Sequence, residues 1–438
     1  MFKNMVIALL EFQTKRFLKK HQPKIVAIAG SVGKTSTKLF TVTVLKQKFR
    51  VLTQEGNHNT HVSVPMVIFD LPLPANLQNP FAWVSTLWKT ERKIRQTALD
   101  HDVIILELGT DAPGDVPRFG RYLHPDIGVV TAVAPEHMEF FKTIEAVAQE
   151  ELAISNFSQL TLINRDEIDA RFADYVQTTN ISTYGTSGVA EYHYLIEDFE
   201  PGQGFRGKFV SPEFGEQPAT LQLVGEHNIK AAVAAGAIGA KLGLNAAHIV
   251  AGLTQIQPVP GRMRLLKGLL DSTLIDDTYN SSPIAATAAL QTLYLFPATQ
   301  QKIAILGSMA ELGDYSAKAH QEVGEMCDPT LLDWIVTIGD EAERYLAPAA
   351  AGRGCQVRSF KSPYDAGAFV HSVLQPHAVV LAKGSQNGVF TEEALKVLLH
   401  STVEEEELVR QSPDWLAIKR DQFAKIVEPN TRKDNHKS

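Results

Sequence analysis

Short runs of Val, Ile and Leu alternate with longer amphipathic segments along most of the chain. Eight of these runs are bounded by glycine or polar residues: KIVAIAG, VIILELG, IGVVTAV, LTLINR, TLIDD, KIAILG, WIVTIG and AVVLAKG. Near-continuous apolar runs of this length are typical of strands that are buried on both faces, as in parallel sheets covered by helices. The pattern therefore predicts an α/β fold.

Two changes in pattern indicate how the chain is organised. Residues 190–222 alternate in polarity and are rich in turn residues, which predicts antiparallel hairpins within the first domain. Pro258 and Pro260 in TQIQPVPGRMRLL resemble a linker. We therefore expect domains at 24–257 and 258–400, followed by a helical or disordered tail at 401–438. LVRQSPDWLAIKRDQF is a candidate docked helix, and the last ten residues are expected to be disordered.

Residues 1–23 predict an amphipathic helix. Basic residues cluster near its C-terminal end, where cations suit the helix dipole. The apolar side is expected to comprise Phe2, Val6, Leu9, Leu10, Phe17 and Leu18. Two interpretations stay open: the helix packs on its own domain, or it attaches peripherally to an anionic membrane surface.

Composition narrows the possible classes of protein. The 438 residues carry a formal net charge of −7, which does not favour a nucleic-acid partner. No apolar run reaches the ~18–20 residues of a membrane span, and no signal-peptide cleavage site is evident. Two cysteines, Cys327 and Cys355, suit neither a disulfide framework nor a zinc site. These features predict a protein of the cytoplasm.

The segment AIAGSVGKTSTKLF predicts a phosphate-binding loop between a strand and a helix. Glycine allows backbone N–H groups to point at phosphate oxygens, the lysine neutralises charge, and the threonine is placed to ligate Mg²⁺. Ile28 occupies the position where the general motif has its first glycine, so the loop is a shorter form. The candidate nucleotide-binding residues of this loop are Gly30, Ser31, Gly33, Lys34, Thr35 and Ser36.

Two further residues follow buried strands and are candidate metal ligands. Glu107 lies at the end of VIILELG, and His137 follows IGVVTAV. Ligands gather at the carboxyl ends of strands in open α/β sheets, so both are expected near the loop. Glu107 would complete the Mg²⁺ shell begun by Thr35, and His137 would bind a second ion.

The ordered motifs of the chain resemble the Mur ligase superfamily, and most closely its branch that adds D-alanyl-D-alanine to a UDP-muramoyl tripeptide. The resemblance rests on the short loop together with EGNHNTHVSVP, LELGTDAPGDV, GEHNIKAAVAA, LIDDTYNSSPIAATAAL, ILGSMAELGDYSAKAHQEVGE and LAKGSQNGVF, over about residues 24–398. It implies a P-loop central ATPase domain with a parallel sheet plus a C-terminal Rossmann-like α/β domain. It also implies ATP-dependent amide-bond formation through an acyl phosphate, with two Mg²⁺ ions.

The resemblance also assigns roles to residues outside the loop. It implies that Asn228 contacts the adenine and that Asp277 binds the ribose hydroxyls. Arg262 is expected to reach the phosphates, although a solvated linker charge is the alternative. Lys34, His137, Arg262 and Lys383 are the predicted catalytic residues. The predicted substrate-binding residues are Asn57, His58, Asn59, Tyr279, Asn280 and Lys383.

Three departures from the family pattern affect the function expected. Only 29 residues precede Gly30, whereas the dipeptide-adding ligases carry a UDP-sugar-binding domain there. Most members of the family have a carbamylated lysine whose carboxylate binds the second Mg²⁺, and Glu151 stands in its place. Glu151 is expected either to supply that carboxylate or to be a solvated helix charge beside Glu150. Gln386 replaces an arginine and removes a positive charge.

Three hypotheses for the function remain. The first is a monomeric ligase that joins a muramoyl peptide to D-Ala-D-Ala or a similar amine, with small molecules as its partners. The second is an amino-acid or polyglutamate ligase of the same superfamily, which the short N-terminus favours. The third is a nucleotide-binding partner protein that has lost ligase activity.

Overall fold

The structure is a computed structural model that describes residues 2–54, 56, 58–385 and 388–427. It comprises two compact units, Met1–Gln257 and Pro258–Ser438. Each unit is built around its own mostly parallel sheet, as the alternation of apolar and amphipathic segments predicts.

The sheet of the first unit has nine strands, in the order β2-β3-β1-β4-β5-β6-β7-β8-β9. Neighbours from β2 to β7 pair in parallel, and β7, β8 and β9 pair antiparallel, which confirms the hairpins predicted for 190–222. The strands are β1 (Lys24–Ala29), β2 (Val51–Thr53), β3 (Val103–Glu107), β4 (Ile127–Val130), β5 (Leu160–Asn164), β6 (Ile181–Gly185), β7 (Tyr192–Glu200), β8 (Gly204–Ser211) and β9 (Gly215–Leu221).

The helices of this unit cover the parallel part of the sheet. Apolar side chains of β1, β3 and β4 fill the core between them. The helices are α1 (Phe2–His21), α2 (Lys34–Leu45), α3 (Ser63–Ile68), α4 (Pro80–Arg95), α5 (Asp115–Phe119), α6 (Met138–Phe141), α7 (Ile144–Leu152), α8 (Glu226–Lys241) and α9 (Ala246–Thr254).

The strand order places a topological switch point at β1. This strand lies between β3 and β4, and Ile28 is in register with Glu107 on one side and Val129 on the other. In open α/β sheets the crevice outside the carboxyl ends of such strands is where ligands bind. The segments that follow β1, β3 and β4 therefore meet at one edge.

The N-terminal helix α1 packs on its own unit through one face. Val6, Leu10 and Phe17 are buried on that face. The prediction that Leu9 shares this face is wrong, because Leu9 is 41% exposed. In the described part of the chain, no helix is both long and apolar enough to cross a membrane.

The sheet of the second unit has six strands, in the order β10-β11-β15-β12-β13-β14, and only the β10–β11 pair is antiparallel. The strands are β10 (Arg264–Lys267), β11 (Thr273–Asp277), β12 (Lys302–Gly307), β13 (Trp334–Ile338), β14 (Val357–Phe360) and β15 (Val379–Lys383). The helices are α10 (Pro283–Tyr294), α11 (Ser316–Glu325), α12 (Ala347–Gly352), α13 (Pro363–Val373), α14 (Glu392–Lys396) and α15 (Pro413–Val427).

The candidate tail helix is α15, and buried ion pairs attach it to α14. Lys419 is 1% exposed and lies 2.6 Å from Glu393 and 2.9 Å from Glu392. Phe423 is also buried, with its ring 5.6 Å from that of Tyr364. The tail is therefore part of the second unit up to this helix, and the last ten residues lie outside the described part of the chain.

Candidate functional site

The loop after β1 has the backbone of an anion cradle. Gly30 has φ +127°, and a Cβ there would lie 2.2 Å from Thr131 Oγ1. Gly33 has φ +87° and caps α2 without a side-chain hydrogen bond, and the first turn of α2 holds no acidic residue. Ser31 attaches the loop to the segment after β4: its hydroxyl donates to the Ala134 carbonyl (3.1 Å). The geometry fits a phosphate group at the start of α2.

Lys34 bends back over the loop. Its ammonium donates to the Gly30 carbonyl at 2.5 Å and lies 3.8 Å from the Glu136 carboxylate. Ser36 is buried in the same turn of α2. Glu136 was not among the predicted site residues. Its position directly before His137, a candidate metal ligand, could have indicated it.

Glu107, at the end of β3, lies beside α2. The Thr35 hydroxyl donates to its carboxylate at 3.3 Å, and the Lys38 ammonium lies 3.3 Å from the same oxygen. Lys38 is 1% exposed and also donates to the Gly56 carbonyl. Lys38 was not among the predicted site residues, although its i,i+4 spacing from Lys34 places both on one face of α2.

The oxygen ligands of Thr35 and Glu107 suit Mg²⁺, which proteins usually hold through one or two carboxylates together with substrate phosphates. His137 caps α6 in a left-handed conformation (φ 50°), with Nε2 3.5 Å from Glu136 Oε1. Among the described residues, no group of three His, Cys, Asp or Glu side chains is arranged to hold a metal ion by itself. A metal at this edge would therefore need phosphate oxygens as ligands too.

Glu151 is buried against the phosphate loop. The Gly30 N–H donates to Glu151 Oε2 at 2.6 Å, and burial raises the pKa of this carboxyl to about 7, with Lys34 opposing the shift. Glu150 is buried as well and accepts N–H donors from Gly114 (2.7 Å) and Val116 (2.6 Å). The alternative of a solvated charge is therefore wrong for Glu151. Helix α7 turns both glutamates toward the backbone of a loop.

The segment with the predicted substrate residues follows β2 and lies along the end of β3. The Gln54 side chain accepts from Glu107 N–H (3.3 Å) and donates to the His58 carbonyl (3.1 Å). The Asn59 carbonyl accepts from Gly109 N–H at 2.9 Å. His58 is exposed next to these contacts, and Asn57 lies outside the described residues.

Asn228 lies in the first turn of α8, in the same unit as the loop. Its side chain is 2% exposed, and its amide donates to the Val224 carbonyl at 2.9 Å. This contact is local to the start of α8, so the adenine contact stays a prediction.

In the second unit, Asp277 and Lys383 are cross-strand neighbours at the carboxyl ends of β11 and β15. Their side chains form a buried ion pair at 3.0 Å, and the Lys383 ammonium also donates to the Asn280 carbonyl. Burial lowers the pKa of Lys383, and Asp277 opposes that shift. A buried, paired carboxylate at a strand end can accept hydrogen bonds from a diol.

Arg262 and Tyr279 adjoin this pair. The Arg262 guanidinium lies 4.5 Å from the centre of the Tyr279 ring, and the Tyr279 N–H donates to the Gly261 carbonyl at 3.1 Å. The structure therefore gathers Arg262, Tyr279, Asn280, Asp277 and Lys383 at one edge of the second sheet. Gln386 lies outside the described residues.

Two further residues hold this edge and were not predicted. Asp276 is fully buried and accepts from Gly261 N–H (2.9 Å) and from the Thr278 hydroxyl (2.6 Å). Burial raises the pKa of its carboxyl to about 6. Arg410, from the tail, donates to the carbonyls of Thr278 (2.7 Å) and Tyr279 (2.9 Å). The sequence could have indicated Asp276, because it is the first acid of the motif DDTYN. Nothing near Arg410 in the sequence indicates its contacts with this edge.

Comparison with known proteins matches both units. Residues 28–239 match the Mur ligase middle domain, and residues 261–386 match the domain described as "Mur ligase, glutamate ligase domain". The UDP-N-acetylmuramoyl-tripeptide--D-alanyl-D-alanine ligase of Bacillus subtilis is 28% identical over 334 residues, which is 75% of this chain and 66% of that protein. The protein of the same name from Haemophilus influenzae is 28% identical, over 84% of this chain and 75% of its own length.

A solved structure supports the same fold. The MurF ligase of Thermotoga maritima, in complex with ADP, superposes with a TM-score of 0.72 at 22% identity, covering 92% of this chain and 84% of that one. The chain thus spans about two thirds to three quarters of the length of the curated relatives it matches.

Proposed function

The chain belongs to the Mur ligase family, and we propose on that premise that it is an ATP-dependent ligase that joins a carboxylate to an amine. The observation that carries the proposal is the edge formed by β1, β3 and β4. There the glycine cradle, Lys34, Thr35 and Glu107 converge, with Glu107 3.3 Å from both the threonine hydroxyl and the Lys38 ammonium.

The nucleotide proposed for this edge is ATP. Its phosphates would lie on the backbone N–H groups of the loop and the start of α2, with the Lys34 ammonium as counter-charge. Mg²⁺ would be held by Thr35 and Glu107 and would neutralise charge on the β- and γ-phosphate oxygens. A second ion at His137, with Glu151 as a further carboxylate, stays a prediction.

The reaction proposed is transfer of the γ-phosphoryl group to a substrate carboxylate, attack of an amine on the acyl phosphate, and departure of phosphate. Catalysis of this kind depends on positioning and charge neutralisation. The positive charge of Lys34 and its position over the phosphate loop suit it to the first step, transfer of the γ-phosphoryl group. In the second unit, Asp277 is the residue proposed to bind the ribose. Lys383 and Arg262 are the cationic residues proposed to act in catalysis from that unit.

The substrates proposed are a muramoyl peptide as carboxylate donor and D-Ala-D-Ala or a similar dipeptide as amine. Support comes from the names of the relatives, which denote UDP-N-acetylmuramoyl-tripeptide--D-alanyl-D-alanine ligases, and from the match of both units. We place the reaction in the cytoplasm, where ATP is supplied, and expect a monomer.

The test is ATP-dependent phosphate release by the purified chain. UDP-muramoyl-tripeptide is supplied with D-Ala-D-Ala, D-Ala-D-lactate or glutamate in turn, and the product is identified by mass spectrometry. We expect release that needs both substrates and Mg²⁺ and that Lys34→Met abolishes. Stimulation only by glutamate would replace the proposal with the amino-acid ligase hypothesis, and no stimulation by any pair would refute the dipeptide reaction.

A further inference from the structure

The outer surface of α1 and α4 carries an exposed apolar stripe on each helix. On α1 the stripe comprises Met5, Leu9 and Phe12, at i, i+4 and i+7; on α4 it comprises Phe81, Val84 and Trp88, at i, i+3 and i+7. The three aromatic residues of the stripes are largely in solvent: Phe12 is 61% exposed, Phe81 84% and Trp88 66%. Clustered exposed rings of this size mark an interaction surface more often than chance exposure does.

Contacts between the helices place both stripes on one face. Gln13 donates to the Leu87 carbonyl (3.2 Å) and Lys20 to the Ile94 carbonyl (2.8 Å), so the helices run side by side in parallel. Arg16 of α1 and Glu91 of α4 form an ion pair between the two helices, at 2.7 Å. Each is the next position of its own stripe, one turn beyond Phe12 and Trp88. The stripes therefore meet at this pair and form a single surface, which we call the α1–α4 face.

The opposite side of this helix pair is firmly held. Val6 and Leu10 pack with Met66 and Trp83, and Phe17 enters the core under the sheet. The α1–α4 face is thus displayed by a rigid element, and α1 does not need to leave its unit to expose apolar side chains.

Charge identifies the kind of partner. The two helices carry nine lysine and arginine residues against two glutamates, in a chain whose net charge is −7. The basic residues lie in the C-terminal halves of both helices: Lys15, Arg16, Lys19 and Lys20 on α1, and Lys89, Arg92, Lys93 and Arg95 on α4. Exposed aromatic rings next to a basic cluster are typical of elements that lie in the interface of an anionic bilayer.

We propose that the α1–α4 face docks this protein peripherally on an anionic membrane surface, with the Phe and Trp rings among the headgroups and the basic residues on the lipid phosphates. A second copy of the chain is disfavoured as the occupant because both faces would carry the same excess of positive charge. The proposal does not depend on which substrates the ligase uses.

The test measures binding of the full-length protein to vesicles. Vesicles of phosphatidylcholine with phosphatidylglycerol are compared with phosphatidylcholine alone by co-sedimentation at low and high salt, with Trp88→Phe used to assign any blue shift of tryptophan fluorescence. We expect binding to the anionic vesicles only, weakened by salt. The double substitution F12S/W88S should weaken it roughly tenfold or more because two buried rings are lost, and R92E/R95E should weaken it by a similar factor.

The matched control is Val189→Ser, an exposed apolar residue of the same unit far along the chain from both helices (76% exposed). It should leave vesicle binding unchanged, and all variants should keep the circular dichroism spectrum and ATP hydrolysis of the parent. Absence of vesicle binding, or binding that F12S/W88S leaves intact, would overturn the proposal. So would a concentration-dependent dimer that the same substitution dissociates, since the face would then be occupied by a second copy.

Discussion

Arg410 links the tail to the edge of the second sheet through four hydrogen bonds. Its side chain is 6% exposed, and its guanidinium donates twice to the fully buried Glu392 carboxylate, at 2.8 and 2.7 Å. It also donates to the carbonyls of Thr278 and Tyr279. Arg410→Met keeps the aliphatic part of the side chain and removes all four hydrogen bonds.

The expected cost follows from what is left behind. Deleting one partner of a buried ion pair costs about 3–5 kcal/mol, because the other charge stays buried. Lys419 still lies 2.9 Å from Glu392, which argues for the lower end of that range. Two carbonyls also lose a donor, at roughly 1 kcal/mol each. We therefore expect Arg410→Met to lower the unfolding free energy of the second unit by about 5 kcal/mol.

The assay is urea unfolding of the full chain, followed by hydrogen exchange of peptides from each unit because two units need not unfold together. A double-mutant cycle with Glu392→Met should show a coupling energy of about 2 kcal/mol or more, since the double variant buries no unpaired charge. Lys318→Met is the control: it breaks an exposed i,i+4 pair of the same unit (3.6 Å to Glu322) and should cost about 0.5 kcal/mol or less. A loss below 1 kcal/mol for Arg410→Met, or additive effects in the cycle, would refute the reasoning.

Three further predictions concern single residues. Gly30→Ala should reduce ATP affinity more than tenfold in equilibrium binding, because a Cβ would lie 2.2 Å from Thr131 Oγ1 at φ +127°; wild-type affinity would contradict the cradle. Glu151→Gln should keep nucleotide affinity within about threefold, since its amide oxygen can still accept from Gly30 N–H, whereas Glu151→Ala should lose about tenfold; equal losses would instead assign Glu151's effect to its charge. The pKa of Asp276 is about 6 when folded against an ordinary 3.8, so the stability it contributes is full below about pH 4 and is lost as the pH rises through 6. Relative to Asp276→Asn, the wild type should lose about 3 kcal/mol of unfolding free energy between pH 4 and 7, and parallel pH profiles would contradict this.

The sequence predicted the strands of both sheets well where they are central. A central parallel strand is apolar on both faces, so β1, β3, β12 and β15 stand out as continuous runs. Edge strands have no such pattern: β2 has three half-buried residues and β14 has four residues of mixed exposure. Neither strand was predicted, because what fixes them is the neighbouring strand rather than their own residues.

Candidate site residues were predictable where a motif fixes the backbone, and missed where a partner comes from far along the chain. Gly30 and Gly33 are in the left-handed region that a phosphate loop requires. Arg410 acts on Tyr279 across 131 residues, and nothing near Arg410 in the sequence indicates it. Glu151 lies between these cases: its position was predicted by resemblance, but its contact with Gly30 N–H depends on how closely α7 approaches the loop.

The contacts of Glu107 bear on the order in which a metal and a nucleotide would bind. Its carboxylate already lies 3.3 Å from the buried Lys38 ammonium, so part of its charge is compensated before any ligand arrives. Dehydrating Mg²⁺ for one compensated carboxylate and the Thr35 hydroxyl would be unfavourable, since this ion gives up its water reluctantly. Phosphate oxygens would add the missing negative charge beside Lys34. Magnesium is therefore expected to bind together with the nucleotide, and calorimetric titration of Mg²⁺ alone should show no binding at concentrations that saturate the protein when ATP is present.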